Sequence, residues 1–188
     1  MEVQLVKIKP EERHVLENLF CYYVYDMSEY MKWNPTKDGH FDGYDVSKFN
    51  PYWERDDHIP YFIKVNNEMA GFVLVRRYPS DPTRYDIEQF FVLRKFKGQG
   101  VGRGVLAQVV KAYPGKWQIR ILQENSGALS FWKSAVSRIV GENYTLSKAN
   151  DVDLVMLFIH FETPNGQTMH ESLKGQTPKE RTSCYLRR

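Results

Sequence analysis

Apolar and polar positions along the 188-residue chain change period several times, and each change marks an element. Val3, Leu5 and the run Val6-Lys7-Ile8 read as a first strand. Pro10 followed by Glu11 and Glu12 opens a helix, because proline fits the first turn and acids favour its positive end. Leu16, Leu19, Phe20 and Tyr23 continue it at helical spacing toward Met31. Asn34-Pro35 then begins a polar loop with Gly39 and Gly43, and a second short helix is expected between Val46 and Trp53. Two apolar runs, Tyr61–Val65 and Ala70–Val75, joined by Asn66-Asn67-Glu68, predict a hairpin. Asp81-Pro82 breaks the chain and Tyr85–Leu93 is the next strand. From Gly102 to Tyr113, Val105, Leu106, Val109 and Val110 keep helical spacing until Pro114-Gly115 ends it. Trp117–Leu122 is again strand, Asn125-Ser126-Gly127 caps a helix through Phe131 and Trp132, and Asp153–Phe161 is a last apolar strand.

The order strand, helix, hairpin, strand, helix, strand, helix, strand predicts a mixed α/β (α+β) architecture rather than a doubly wound sheet. Residues 1–162 are expected to form one domain, and residues 163–188 a polar, basic tail. There is no internal repeat. Apolar residues make up 42% of the chain and aromatic residues 14%, which excludes a disordered polymer. No run approaches the roughly 18 apolar residues of a membrane helix, and the first residues lack a basic flank leading into an apolar segment. Membrane association and secretion are therefore not expected. Cys21 and Cys184 supply neither a disulfide framework nor a cysteine zinc site, so a reducing cytoplasm is the expected compartment. His14, His40, His58, His160 and His170 have no ligand spacing, and no metal is expected.

Charge divides along the chain. Residues 11–60 hold eleven acids against five bases, whereas Gln89–Gln123 contains no acid and carries Arg94, Lys95, Lys97, Arg103, Lys111, Lys116 and Arg120. An anionic partner is expected at the middle of the chain.

That basic stretch contains Lys97-Gly98-Gln99-Gly100-Val101-Gly102-Arg103 between a predicted strand and helix. Bare glycine backbone and the free N–H groups of a helix start form a pyrophosphate cradle. A dinucleotide fingerprint would need glycine where Arg103 stands, and the one Gly-Lys pair, Gly115-Lys116, is followed by Trp117, so neither a nicotinamide site nor a P-loop fits.

The segment Phe91-Val92-Leu93-Arg94-Lys95-Phe96-Lys97-Gly98-Gln99-Gly100-Val101-Gly102 resembles the acyl-coenzyme A motif of the GNAT superfamily of N-acetyltransferases. Lys97 stands where that motif has Arg or Gln, a departure that keeps the charge of an arginine, and Gly100 and Gly102 take its last two positions. Asn125, Ala128, Phe131 and Trp132 are similar to the family's second motif. Together the matches cover roughly residues 85 to 136. The resemblance looks closest to a poorly characterised branch of predicted acetyltransferases. It implies a central mixed sheet splayed at its fourth strand with helices on both faces, and acetyl-CoA (coenzyme A) in the split. Phe91, Val92, Leu93, Lys97, Gly98, Gln99, Gly100, Val101, Gly102, Arg103, Asn125, Ala128, Phe131 and Trp132 are the implied cofactor-binding residues, with Val92 at the family position whose backbone faces the pantetheine arm.

Amide formation from an amine and a thioester needs a base for the amine and a proton for the departing thiolate. Glu88 is the leading candidate base and Asp86 the second; both equally suit partners of Arg84 or solvent-facing strand positions. Trp132 occupies the place where many family members have a tyrosine acid, and its indole is no proton source. Tyr144 could replace it, or the thiolate could leave unaided. Tyr22, Tyr23, Tyr25, Asp26, Glu29 and Tyr30, on the first predicted helix, would line the acceptor cleft if the family arrangement holds, with Tyr23 equally suited to the core, and the acids favour a cationic amine. The expected function is acetyl transfer from acetyl-CoA to a primary amine within a ternary complex. A non-catalytic acyl-CoA sensor is the alternative, nucleic-acid binding ranks last, and a homodimer stays open.

Overall fold

Strand β3 (Glu68–Tyr78) shows why the sheet is central: Ala70 to Val75 is buried at every position, so both faces of the strand are covered. The computed structural model describes residues 1–41, 44–151 and 153–164. Beyond β3 the strands are β1 (Val3–Lys7), β2 (His58–Val65), β4 (Asp81–Val92), β5 (Gly115–Leu122), β6 (Tyr144–Asp151) and β7 (Leu154–Thr163). They form one sheet in the order β1-β2-β3-β4-β5-β7-β6, antiparallel except for β4 with β5. Helices α1 (Arg13–Met31) and α2 (Pro51–Glu54) lie on one face, packed with Phe62, Phe72, Leu74 and Phe91. Helices α3 (Val101–Ala112) and α4 (Ser126–Val140) cover the other, over Val73, Val75, Ile87, Ile119 and Ile159. The mixed α/β class and the flanking helices are as expected from the sequence.

The hairpin turns at Asn66 and Asn67, both at positive φ, the two-residue turn that matches the twist of paired strands. Strand β4 begins earlier than expected, at Asp81, and Pro79-Ser80 makes the turn. Strand β6 is absent from the sequence expectation. Thr145 to Asn150 are exposed, so no apolar alternation marks them, and the strand exists through its pairing with β7. The expected tail lies outside the described residues from 165 onward, as does Cys184. No helix among the described residues is long and apolar enough to cross a membrane.

Two irregularities in β4 set the geometry that follows. Register with β3 shifts so that Leu74 faces Gln89 and Val75 faces Ile87, leaving Glu88 as the extra residue of a bulge. On the other edge, pairing with β5 joins only Arg84–Ile87 to Lys116–Ile119, after which the two parallel strands part. At the parting sits a buried charge ladder. Asp86, fully buried, accepts from Arg76 Nε at 3.2 Å and from Arg120 Nε and Nη2 at 3.1 and 2.9 Å. Arg120 Nη1 continues to Asp151 at 2.6 Å, tying β5 to the unexpected strand.

Removing one member of such a buried set strands the charges of the others. Asp86→Asn is expected to destabilise the protein by about 3–5 kcal/mol, read as the urea midpoint. A change below about 1 kcal/mol would show that the ladder does not hold the parted strands.

Candidate active site

The parting of β4 and β5 opens a cleft of about 940 Å³. Its walls are Ile87 to Val92 of β4, Ile119 to Leu122 of β5, the first turns of α3 and α4, and one side of α1. Because β5 has left, the edge of β4 beyond Ile87 has no strand partner on that side. Backbone donors and acceptors there are available to a ligand, as in strand addition.

At one end, the turn before α3 brings together Lys97, Gly98, Gly100, Val101, Gly102 and Arg103. Gly98 and Gly100 have φ of +77° and +83°; a Cβ at Gly98 would meet nothing, and one at Gly100 only the end of the Arg103 side chain. The space above this backbone is open, while the first N–H groups of the 12-residue α3 have no partner within the helix. Gly102 serves a different need. A Cβ there would fall 2.8 Å from the Phe131 ring, so its bareness lets α4 pack against α3. Gln99 turns away from the cleft and donates to the Lys95 carbonyl at 2.7 Å. Leu93 packs between the two cores, its N–H bound to Ala70.

The α4 side of the cleft carries Asn125, Ala128, Phe131 and Trp132. Asn125 Oδ1 caps the helix by accepting from the Ala128 N–H at 2.8 Å. Trp132 is buried edge-on against Phe90 and Phe131.

Glu88 faces the cleft from the bulge, its side chain 15% exposed. Oε1 receives Arg76 Nη1 at 2.6 Å and Oε2 receives the Tyr52 hydroxyl at 2.5 Å. Each carboxylate oxygen has a second lone pair, so both can accept a further proton donor. Tyr23 and Tyr44 also line this region. Burial raises both phenols well above their ordinary value, with the Glu88 charge adding to the effect, so both keep their protons. Burial and Glu88 act on Tyr52 in the same direction.

Asp26, Glu29 and Tyr30 of α1 line the cleft, whereas Tyr25 is exposed against Phe41 outside it. Asp26 pairs with the glycine-turn side of the cleft: Arg94 Nη2 donates to it at 2.8 Å and Lys97 Nζ at 3.1 Å. Burial opposes its charge, but these two hydrogen bonds prevail and hold its carboxyl below the usual carboxylate range.

Two sequence candidates for chemistry lie elsewhere. Asp86 is not on the cleft wall, being enclosed by Arg76 and Arg120. Tyr144 belongs to β6 and lines a separate, open depression of about 370 Å³ with Arg84, Lys116 and His160. Its strand is three places from β4 in the sheet, because β5 and β7 intervene. Tyr23, expected on the acceptor side, stands on the cleft wall and Tyr22 does not; sequence reasoning missed Arg76, Tyr52, Tyr44 and Arg120. Arg120 alone carried a signal, a charge inside the apolar strand Trp117–Leu122.

A model of the acetyltransferase (GNAT) family matches residues 24–135. No curated protein matches the chain significantly. Solved structures do. An acetyltransferase from Thermus thermophilus superposes with a TM-score of 0.62 at 13% identity, covering 86% of this chain and 97% of that one. A spermidine N-acetyltransferase SpeG chimera from Vibrio cholerae and hSSAT has a TM-score of 0.58 at 9% identity, covering 86% and 96%. Aminoglycoside acetyltransferase AAC(6')-Ib, solved with paromomycin and acetyl-CoA, has a TM-score of 0.60 at 15% identity, covering 94% and 100%. At these identities the solved structures speak for the fold, and the family model, spanning more than half of the chain, speaks for descent: the protein belongs to the acetyltransferase (GNAT) family.

Proposed function

We propose that the protein transfers an acetyl group from acetyl-CoA to a primary amine, directly, with both substrates in the cleft. One observation carries the reading: a single continuous cleft joins an anion-binding turn to a carboxylate held on the bulge of β4. The residues suit the cofactor. Open backbone at Gly98 and Gly100, the first N–H groups of α3, Lys97 and Arg103 would hold the diphosphate. The unpaired edge of β4 at Phe91 and Val92 would take the pantetheine amides, with Asn125, Ala128, Phe131 and Trp132 as the opposite wall. Acetyl-CoA supplies the activated acyl group as a thioester.

The protein's own task is to present a neutral amine to that carbonyl carbon. Glu88, oriented by Arg76 and Tyr52, accepts the proton of the ammonium group directly or through a water molecule. The C–N bond forms as the C–S bond breaks. The thiolate leaves with the bonding electrons and takes up, through water, the second proton that the attacking nitrogen must lose to become an amide. No side chain on the α4 wall has to act as an acid, which suits a buried tryptophan at position 132. Oriented groups and a desolvated amine supply the rest of the rate.

Acetyl-CoA is expected to raise the melting temperature of the protein. Gly100→Val should abolish that rise, because valine resists the left-handed backbone and blocks close approach to the diphosphate. An undiminished rise would place the cofactor elsewhere.

Glu88→Gln is expected to lower kcat by about a hundredfold or more while the KM for acetyl-CoA stays within about twofold. A variant that keeps its kcat would remove Glu88 from the reaction and leave Arg76, Glu88 and Tyr52 as a structural set. Binding of acetyl-CoA without turnover on any amine would favour the sensor reading.

A further inference from the structure

The two ends of the cleft differ in kind. Around the phosphate turn stand Arg94, Lys97 and Arg103; under α1 the wall is Phe20, Tyr23, Met27, Tyr30, Trp33 and Tyr44. Rings and thioethers cover flat apolar surface well and offer little to a hydrated charge. Carboxylates are few. Of the three on the described lining, Asp26 is taken by Arg94 and Lys97 and Glu88 by Arg76, so Glu29 alone has no ion-pair partner among the described residues. A polycation entering this end would lose water at every charge and meet one uncommitted carboxylate.

Polar groups able to receive a ligand's head are concentrated at one place. The Tyr44 hydroxyl is buried with no hydrogen-bond partner among the described residues, an arrangement that costs free energy unless a ligand completes it. It lies close enough to Glu88 and Arg76 for their charges to act on it. Its ring is fixed against Phe20 at 4.4 Å and Phe49 at 5.1 Å between centroids, so the hydroxyl is held rather than free to swing.

We infer that the acceptor is a monoamine on a flat apolar body, an arylalkylamine, whose nitrogen is received by Glu88 and the Tyr44 hydroxyl while its ring lies on the aromatic wall under α1. This rests on the acetyl-transfer reading of the same cleft. It narrows the cationic acceptor expected from Asp26 and Glu29 to one carrying a single charge, because the Asp26 charge is spent on Arg94 and Lys97.

The test compares phenethylamine, spermidine and paromomycin at several salt concentrations, following thiol release from acetyl-CoA. Phenethylamine should have a kcat/KM at least about tenfold above the other two, as one buried ring contact and one avoided charge burial suffice for that, and should be nearly indifferent to salt. Preference for spermidine or paromomycin that fades with salt would overturn the inference. Calorimetric binding of the same amines to the CoA-loaded protein separates the two readings. Phenethylamine bound in preference, without turnover, would uphold the ligand class and overturn acetyl transfer; no phenethylamine binding would overturn the ligand class. Tyr44→Phe should raise the KM for phenethylamine about three- to tenfold and leave that for acetyl-CoA unchanged. An unchanged KM for phenethylamine would overturn the role given to the hydroxyl.

Discussion

One carboxylate shared by two arginines stands where the sheet divides. Parallel strands that pair over only four residues and then part leave backbone groups unpaired along the cleft, so the place of parting has to be held by something other than the ladder of backbone hydrogen bonds. Asp86 holds it by receiving Arg76 from β3 and Arg120 from β5, with Arg120 the first residue of β5 beyond the last paired position. Asp151 neutralises the far side of Arg120, so the exposed strand β6 contributes to the same anchor. A carboxylate with no access to solvent is sustained only by such full pairing. The cleft exists because the strands part, and the strands part at a fixed place because this ladder holds them there.

From that anchor the division of labour follows. Arg76 bridges the buried carboxylate and the cleft carboxylate, contacting Asp86 and Glu88 at once, so the bulge residue is oriented by the group that also secures the sheet. Excess positive charge is confined to the turn before α3, and an aromatic wall fills the opposite end. Asp26 reaches between the two, from α1 to Arg94 and Lys97. Both arginine and lysine there are largely exposed, at 75% and 53%, so this bridge is a light one.

What the sequence made legible was local. Helical spacing from Leu16 to Tyr23, the Asn66-Asn67 turn, and the glycine turn between strand and helix were each readable within a dozen residues. Glu88 and the turn residues were therefore found on the cleft. Contacts between distant segments were not readable: nothing near Tyr52 announces that it meets Glu88, 36 residues away, or near Asp26 that it meets Lys97, 71 residues away. Tyr144 was misplaced for the same reason. With β6 undetected, nothing placed the residue in space, and it starts an edge strand away from the cleft. Asp86 shows a further limit, since a carboxylate two positions from Glu88 looks equivalent to it until burial and two guanidinium partners set it apart.

A crystal structure with acetyl-CoA would show where the parted strands receive the cofactor. The diphosphate is expected on the backbone of Gly98 to Arg103 and the thioester between the parted strands beside Val92, within reach of an amine at Glu88. Density for the cofactor anywhere else, such as over the depression of Arg84, Lys116 and Tyr144, would contradict this placement.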